Sequence, residues 1–168
     1  CVRAGLPGLH LQFVMWSDRA TNLSGVDGGK AIPAEEFSSL GFDSCTHYQF
    51  VHFTNIDRAY PDVLEDVKKE YARLDGRFGF PYFPHVSLGW DNNPRFNSFR
   101  PGVLRDCTPE NIEKALRAAK DYADRHPLQP KLITINSWNE WTEGSYLEPC
   151  EEYGYQMLEA IRSAASQT

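Results

Sequence analysis

The stretch LITINSWNEWTEGSYLEP, residues 132–149, sets two tryptophans among two glutamates at the end of a strand-like run. Cores seldom take paired carboxylates, and surface loops seldom need two indoles. Glu140 and Glu143 stand three residues apart with Trp141 between them. If the backbone turns as it leaves the strand, both carboxylates face one pocket. Two carboxyl groups beside aromatic rings suit glycoside chemistry, in which an apolar neighbour and a nearby charge keep one acid protonated while the other stays ionised. The indoles of Trp138 and Trp141 would offer flat faces to sugar rings, and Asn139 would hold a carboxylate or a hydroxyl. The plainer alternative makes the glutamates caps of the following turn and the tryptophans part of the core.

Similar polar-aromatic clusters close three earlier runs. LHLQFVMW (residues 9–16) ends in Trp16-Ser17-Asp18-Arg19, DSCTHYQFVHF (43–53) carries Tyr48 and His52, and PHVSLGW (84–90) ends in Trp90-Asp91-Asn92 with Arg95 close behind. Trp16, Asp18, Tyr48, His52 and Trp90 are candidate substrate contacts, each equally readable as structural. Asp91 would bind sugar hydroxyls or pair with Arg95. His85 inside its run reads as a packed residue, and Glu148 before Pro149 as a loop anchor.

Helical signals separate the runs. PDVLEDVKKEYARL (61–74) has an early proline, acids before bases, and Val63, Leu64, Val67, Tyr71 and Leu74 at helical spacing. TPENIEKALRAAKDYADRH (108–126) opens on Thr108 as N-cap with Pro109 at the first helical position. A last helix is expected over 153–165. Strands alternating with helices imply βαβ units and a parallel sheet, here within one domain, residues 1–168. Four such units make a small open sheet or half of a (β/α)8 barrel. The chain opens at Cys1-Val2-Arg3 and its functional-looking residues cluster after each strand, so the barrel half is expected.

Composition narrows the partners. With 168 residues, 41% hydrophobic and 24% charged, the chain has the make-up of a globular domain. A net charge of −6 lacks the basic footprint of a nucleic-acid binder. No apolar run approaches the roughly 18 residues of a membrane span. Cys1, Cys45, Cys107 and Cys150 are scattered without a CxxC pair, so no structural metal is expected and the plain reading leaves them unbridged. Many retaining barrel glycosidases carry Asn-Glu on a middle strand with a nucleophilic glutamate on a later one. Here one helix's length of chain follows Glu140, which leaves no later strand for a nucleophile.

INSWNEWTEGSYLEP, preceded by FPHVSLGWDNNPR and GFDSCTHYQFVHF, resembles the glycoside hydrolase family 99-like proteins, including the WbsX-like group described as glycosyltransferases of polysaccharide clusters. W-N-E-W-x-E-G and G-W-D-N-x-P-R are its most specific motifs. The resemblance implies the C-terminal four βα units of a (β/α)8 barrel, inactive as an isolated half. It further implies retaining, endo-acting, α-mannosidase-like hydrolysis of an oligosaccharide or polysaccharide, without metal or cofactor. By resemblance Glu143 is the general acid/base, and Glu140 is the base that assists the sugar's own 2-hydroxyl. Ser145-Tyr146-Leu147-Glu148 departs from family 99 proper and follows the WbsX-like form. Alternatives are a glycosyltransferase of polysaccharide or O-antigen assembly and a non-catalytic glycan-binding module.

Overall fold

The computed structural model describes residues 1–16 and 34–166. Asp18 lies outside them. Four short strands lie parallel and in chain order. β1 (Gln12–Met15) pairs with β2 (Ser44–His47), with Gln12 opposite Ser44 and Met15 opposite His47. A parallel bridge joins Cys45 to Tyr82 and so ties β2 to the next run. β3 (His85–Val86) then pairs in parallel with β4 (Thr134–Ile135). The α/β alternation is as expected, and among the described residues no barrel closes.

Helices cover one face of this sheet. α1 (Ala34–Ser39) precedes β2, α2 (Tyr60–Leu74) links β2 to β3, α3 (Pro109–Asp124) links β3 to β4, and α4 (Gln156–Ser166) lies against α3. Val63, Leu64, Val67, Tyr71 and Leu74 of α2 are all buried, as their spacing implied. They share one apolar core with Ile112, Ala115, Leu116 and Ala119 of α3 and with Cys45 and Val86 of the strands. The Thr108 hydroxyl accepts from the Asn111 amide at 3.4 Å, so the expected cap is made.

Two expected elements are shorter than their patterns. The run 43–53 is strand only over β2. The Gln49 side chain then accepts from the Phe50 amide and starts a 3-10 turn, Phe50–His52, which ends the extended backbone. The last helix begins at Gln156 rather than 153. Gly154 is left-handed (φ +55) and bridges back to Cys150, which holds the preceding residues in a turn. No disulfide joins the four cysteines.

Strand residues alternate between faces. Cys45 and Val86 face the helices, whereas Thr46 and His85 carry a polar chain on the other side. Thr46 Oγ1 lies 2.7 Å from Thr134 Oγ1, which in turn lies 3.0 Å from His85 Nδ1. His85 Nε2 is 3.1 Å from Ser87 Oγ, which accepts from the Phe50 amide at 2.9 Å. These groups tolerate burial because each has a partner. His85 is thus a packed residue, as expected.

Burial drives the imidazoles towards neutrality. His47 is pushed well below the ordinary histidine value by burial first, then by His85 and Arg73. Burial lowers His85 to about 3, with His52 adding to the effect. An unfolded chain takes up these protons near pH 6.5. Below that pH the unfolded state binds more protons than the folded one, so stability is full above about pH 6.5 and falls as pH drops. The urea midpoint should fall between pH 7 and pH 5, a window in which ordinary carboxylates stay ionised. His85→Gln should flatten that slope while lowering the midpoint at pH 7. A wild-type midpoint equal at both pH values would contradict neutral burial.

Candidate active site

Leaving β4, the chain is pinned by Asn136. Its Oδ1 accepts from the Leu88 amide at 3.0 Å and its Nδ2 donates to Ser145 Oγ at 2.5 Å. Ser137 Oγ donates to the Ser145 carbonyl at 2.8 Å. β5 (Asn139–Glu140) then pairs antiparallel with β6 (Ser145–Tyr146), and a single 3-10 turn, Trp141–Glu143, joins them. The turn ends at Gly144 with φ +59, a conformation that disfavours side-chain-bearing residues. Its carbonyl presses on Gly89 of the third run so closely that a Cβ there would lie 2.1 Å from the oxygen. The Asp91 amide donates to the Glu143 carbonyl at 2.7 Å. The glutamate loop is therefore seated on the end of the third run.

A second turn, Asn93–Arg95, follows that run. Asp91 Oδ1 accepts from the Asn93 amide at 2.8 Å and from its Nδ2 at 2.7 Å. From this turn Arg95 reaches both acids. Its Nη2 lies 3.1 Å from Glu140 Oε1 and its Nη1 lies 2.9 Å from Glu143 Oε1. Arg95 Nε donates to Thr142 Oγ1 at 3.0 Å, and that hydroxyl donates to Glu140 Oε1 at 2.6 Å. The Thr142 hydroxyl first, and Arg95 after it, hold Glu140 below the usual glutamate range. The two acids differ in exposure: the Glu143 side chain is 10% exposed and that of Glu140 43%.

An aromatic wall comes from the first three runs. The Trp16 indole stacks on His52 with ring centres 4.4 Å apart and on Tyr48 at 6.1 Å. Trp90 meets His52 edge-on at 6.5 Å. Burial lowers His52 to about 4, and its buried Nε2 has no hydrogen-bond partner among the described residues. Trp16 and Tyr48 keep substantial exposed surface. Trp90 connects this wall to the acids, since the next residue, Asp91, carries the amide bonded to Glu143.

The remaining candidates divide. Trp141 stacks on Tyr146 at 3.9 Å and donates its indole N–H to Glu148 Oε2 at 2.9 Å, so Glu148 anchors the loop as expected. Trp138 and Asn139 are exposed, and the Trp138 carbonyl accepts from the Leu147 and Glu148 amides. The Asp91–Arg95 pair, one of two alternatives for Asp91, does not form. Asp91 is committed to Asn93 and Arg95 to the glutamates. Thr142, Asn136 and the Gly89–Gly144 contact went unforeseen. Only the glycines immediately before Trp90 and after Glu143 hinted at close backbone approach. Among the described residues no cluster of His, Cys, Asp and Glu is arranged to hold a metal.

Residues 1–161 match the family described as "Glycosyltransferase WbsX". The chain belongs to the WbsX family. The relationship drawn from the motifs is thus borne out. The chain is 34% identical over 166 residues to the uncharacterized protein WxcX of Xanthomonas campestris pv. campestris, strains ATCC 33913 and B100. That alignment takes in 98% of this chain and 23% of WxcX, so the chain spans about a quarter of its curated relatives. Among solved structures, one described as a glycoside hydrolase-like protein shares the fold, with TM-score 0.53 and 18% identity over 76% of this chain and 38% of that one. The GH99 endo-alpha-mannosidase from Bacteroides thetaiotaomicron matches with TM-score 0.46 and 21% identity, over 74% of this chain and 37% of that one.

The Gly89–Gly144 contact makes a direct prediction for this WbsX-family chain. Gly89→Ala should push the glutamate loop off the third run and lower stability by about 1–3 kcal/mol, the usual cost of overpacking. Near-UV circular dichroism should change as Trp141 loses its seat on Tyr146. Gly79→Ala, whose added Cβ would meet the Ser38 side chain at 3.3 Å rather than backbone, is the control and should change both signals far less. Equal melting curves for both variants would refute the close approach.

Proposed function

We propose that the protein containing this chain is a carbohydrate-active enzyme, a retaining glycoside hydrolase that cuts within an α-mannoside-like glycan. The observation that carries this reading is that Glu140 and Glu143 share one guanidinium, Arg95, at 3.1 and 2.9 Å. Acids that merely cap the following turn, the plainer alternative, need not converge on one cation. The four in-order parallel βα units are read as the C-terminal half of a (β/α)8 barrel, in which strand ends gather on the catalytic face. The shared fold with a glycoside hydrolase-like protein supports that reading. The 168-residue chain alone is expected to be inactive, because half of such a face would be missing.

The two environments suit different tasks. Glu140, held ionised by Thr142 and Arg95, suits the base. It takes the proton of the sugar's 2-hydroxyl as that oxygen attacks C1. Glu143 supplies a proton to the departing glycosidic oxygen, so the C1–O bond breaks without a free alkoxide. Water then opens the 1,2-anhydro sugar at C1. Glu143 removes the proton of that water, and Glu140 returns one to O2. Two inversions leave the anomeric configuration unchanged. A guanidinium only donates hydrogen bonds, and a protonated carboxyl still accepts on its carbonyl oxygen, so Glu143 can carry its proton on one oxygen while the other stays bonded to Arg95.

The family description favours a second reading, a glycosyltransferase of polysaccharide assembly using the same acids. One assay separates the two. The intact protein is incubated with α-mannan oligosaccharides and, separately, with sugar nucleotides plus acceptor glycans. Hydrolysis without transfer is expected, falling at least about a hundredfold in Glu143→Gln and in Glu140→Gln. Transfer without hydrolysis would establish the second reading. Hydrolysis unchanged in Glu143→Gln would overturn the assignment of the acid.

A further inference from the structure

The turn Asn93–Arg95, which carries Arg95, also contributes Asn93 to the wall of a cavity of about 250 Å³. Val51, Trp90, Phe96 and Pro101 give it apolar walls, and Asn92 and Arg100 give it polar ones. The loop around it is rigidly closed. Asn93 Oδ1 accepts from the Arg100 amide at 2.6 Å, and Asn93 Nδ2 donates to the Arg100 carbonyl at 3.0 Å. The Leu104 amide reaches the Trp90 carbonyl at 2.8 Å, and the Gly102 amide reaches Asp57 Oδ2 at 3.2 Å. Asp57 is itself paired with Arg105 at 3.0 Å.

Two groups in this wall are unspent. Asn92 Oδ1 is buried without a hydrogen-bond partner among the described residues. An orphaned acceptor of this kind costs stability unless something donates to it. The Arg100 guanidinium stacks 3.8 Å over the Phe96 ring and pairs with no carboxylate among the described residues. Stacking fixes the plane of the guanidinium and leaves its N–H edge presented as a fork for a carboxylate. Trp90 adds a flat face of the kind on which a sugar ring stacks.

We propose that this cavity is a subsite for a carboxylated sugar, a hexuronate unit of the glycan chain held at Glu140 and Glu143. In it the uronate carboxylate meets the Arg100 fork, a ring hydroxyl donates to Asn92 Oδ1, and the ring lies on Trp90. The inference rests on the glycan reading above and sharpens it to an anionic polysaccharide. Continuity comes from the turn Asn93–Arg95, whose first residue walls the cavity and whose last holds both acids. An adjoining sugar would therefore lie within the same chain as the one being cleaved.

Direct binding keeps the test separate from turnover. The intact protein, in the Glu143→Gln form to suppress cleavage, is titrated with methyl β-D-glucuronide and with methyl β-D-glucoside by calorimetry and by tryptophan fluorescence. The glucuronide should bind at least about tenfold more tightly, and its affinity should fall as salt rises. Arg100→Gln should abolish that preference while leaving the weak glucoside affinity in place. Asn92→Ala should weaken both ligands. Equal affinity for the two glycosides, or a glucuronide preference untouched by Arg100→Gln, would overturn the proposal. If the intact protein cleaves no glycan yet shows the Arg100-dependent preference, the subsite stands and the hydrolase reading falls. If it cleaves glycans but shows no preference, only the subsite falls.

Discussion

The arrangement of this molecule depends on one backbone contact, the Gly144 carbonyl lying against Gly89. There is no room for a side chain at 89, and the left-handed turn at 144 disfavours one there as well. The amide of Asp91 completes the contact by donating to the Glu143 carbonyl. The backbone at Glu143 is consequently fixed by main-chain contacts. From that fixed backbone its side chain, only 10% exposed, reaches Arg95 at 2.9 Å. A loop free to move would carry Glu143 away from Arg95, which stands on the turn Asn93–Arg95.

Charge balance at the site is deliberately uneven. Two carboxylates face one guanidinium, and Thr142 relays a further donor to Glu140 alone. Because Arg95 is itself about 41% exposed, solvent screens these pairs and their contribution to stability is small. Their effect is on placement and, for Glu140, on protonation. Glu140 has two donors and loses little if Arg95 shifts, whereas the Arg95 contact is the one ion pair of Glu143 among the described residues. Movement of that one side chain would leave Glu143 without an ion pair among the described residues, and Glu140 still bonded to Thr142.

Much of this was legible in the sequence, and the failures have physical causes. The helical spacing of α2 and the Thr108 cap of α3 carried over nearly residue for residue, because both follow from local chemistry. Strand lengths did not. β3 and β4 contribute only two paired residues each, since strand ends are decided by where a neighbour's amides stop matching. The paired glutamates stood out by composition and spacing. Their partner did not, because Arg95 lies 45 and 48 positions away in the chain and nothing local chooses between Asp91 and the glutamates. Asp91 was lost to that role by the adjacent Asn93, whose amide and side chain both reach its Oδ1. Side-chain competition of this sort is settled only in three dimensions.

The order of the strands also explains why all four runs contribute side chains to one edge. Parallel strands in chain order bring their C-terminal ends to one edge of the sheet. The first two runs supply Trp16, Tyr48 and His52, while the third and fourth supply Arg95 and the two acids. Trp90 stands where these halves meet, with its ring against His52 and its neighbour Asp91 bonded to Glu143. A flat aromatic surface lies on one side of Trp90 and the pair of acids on the other. The polar chain from Thr46 through Thr134 and His85 to Ser87 ties β2, β3 and β4 together on the face away from the helices. Ser87 in turn holds the Phe50 amide, at the start of the turn that aims His52 towards Trp90. The buried hydrogen bonds of the sheet and the aromatic wall above it are therefore one connected structure.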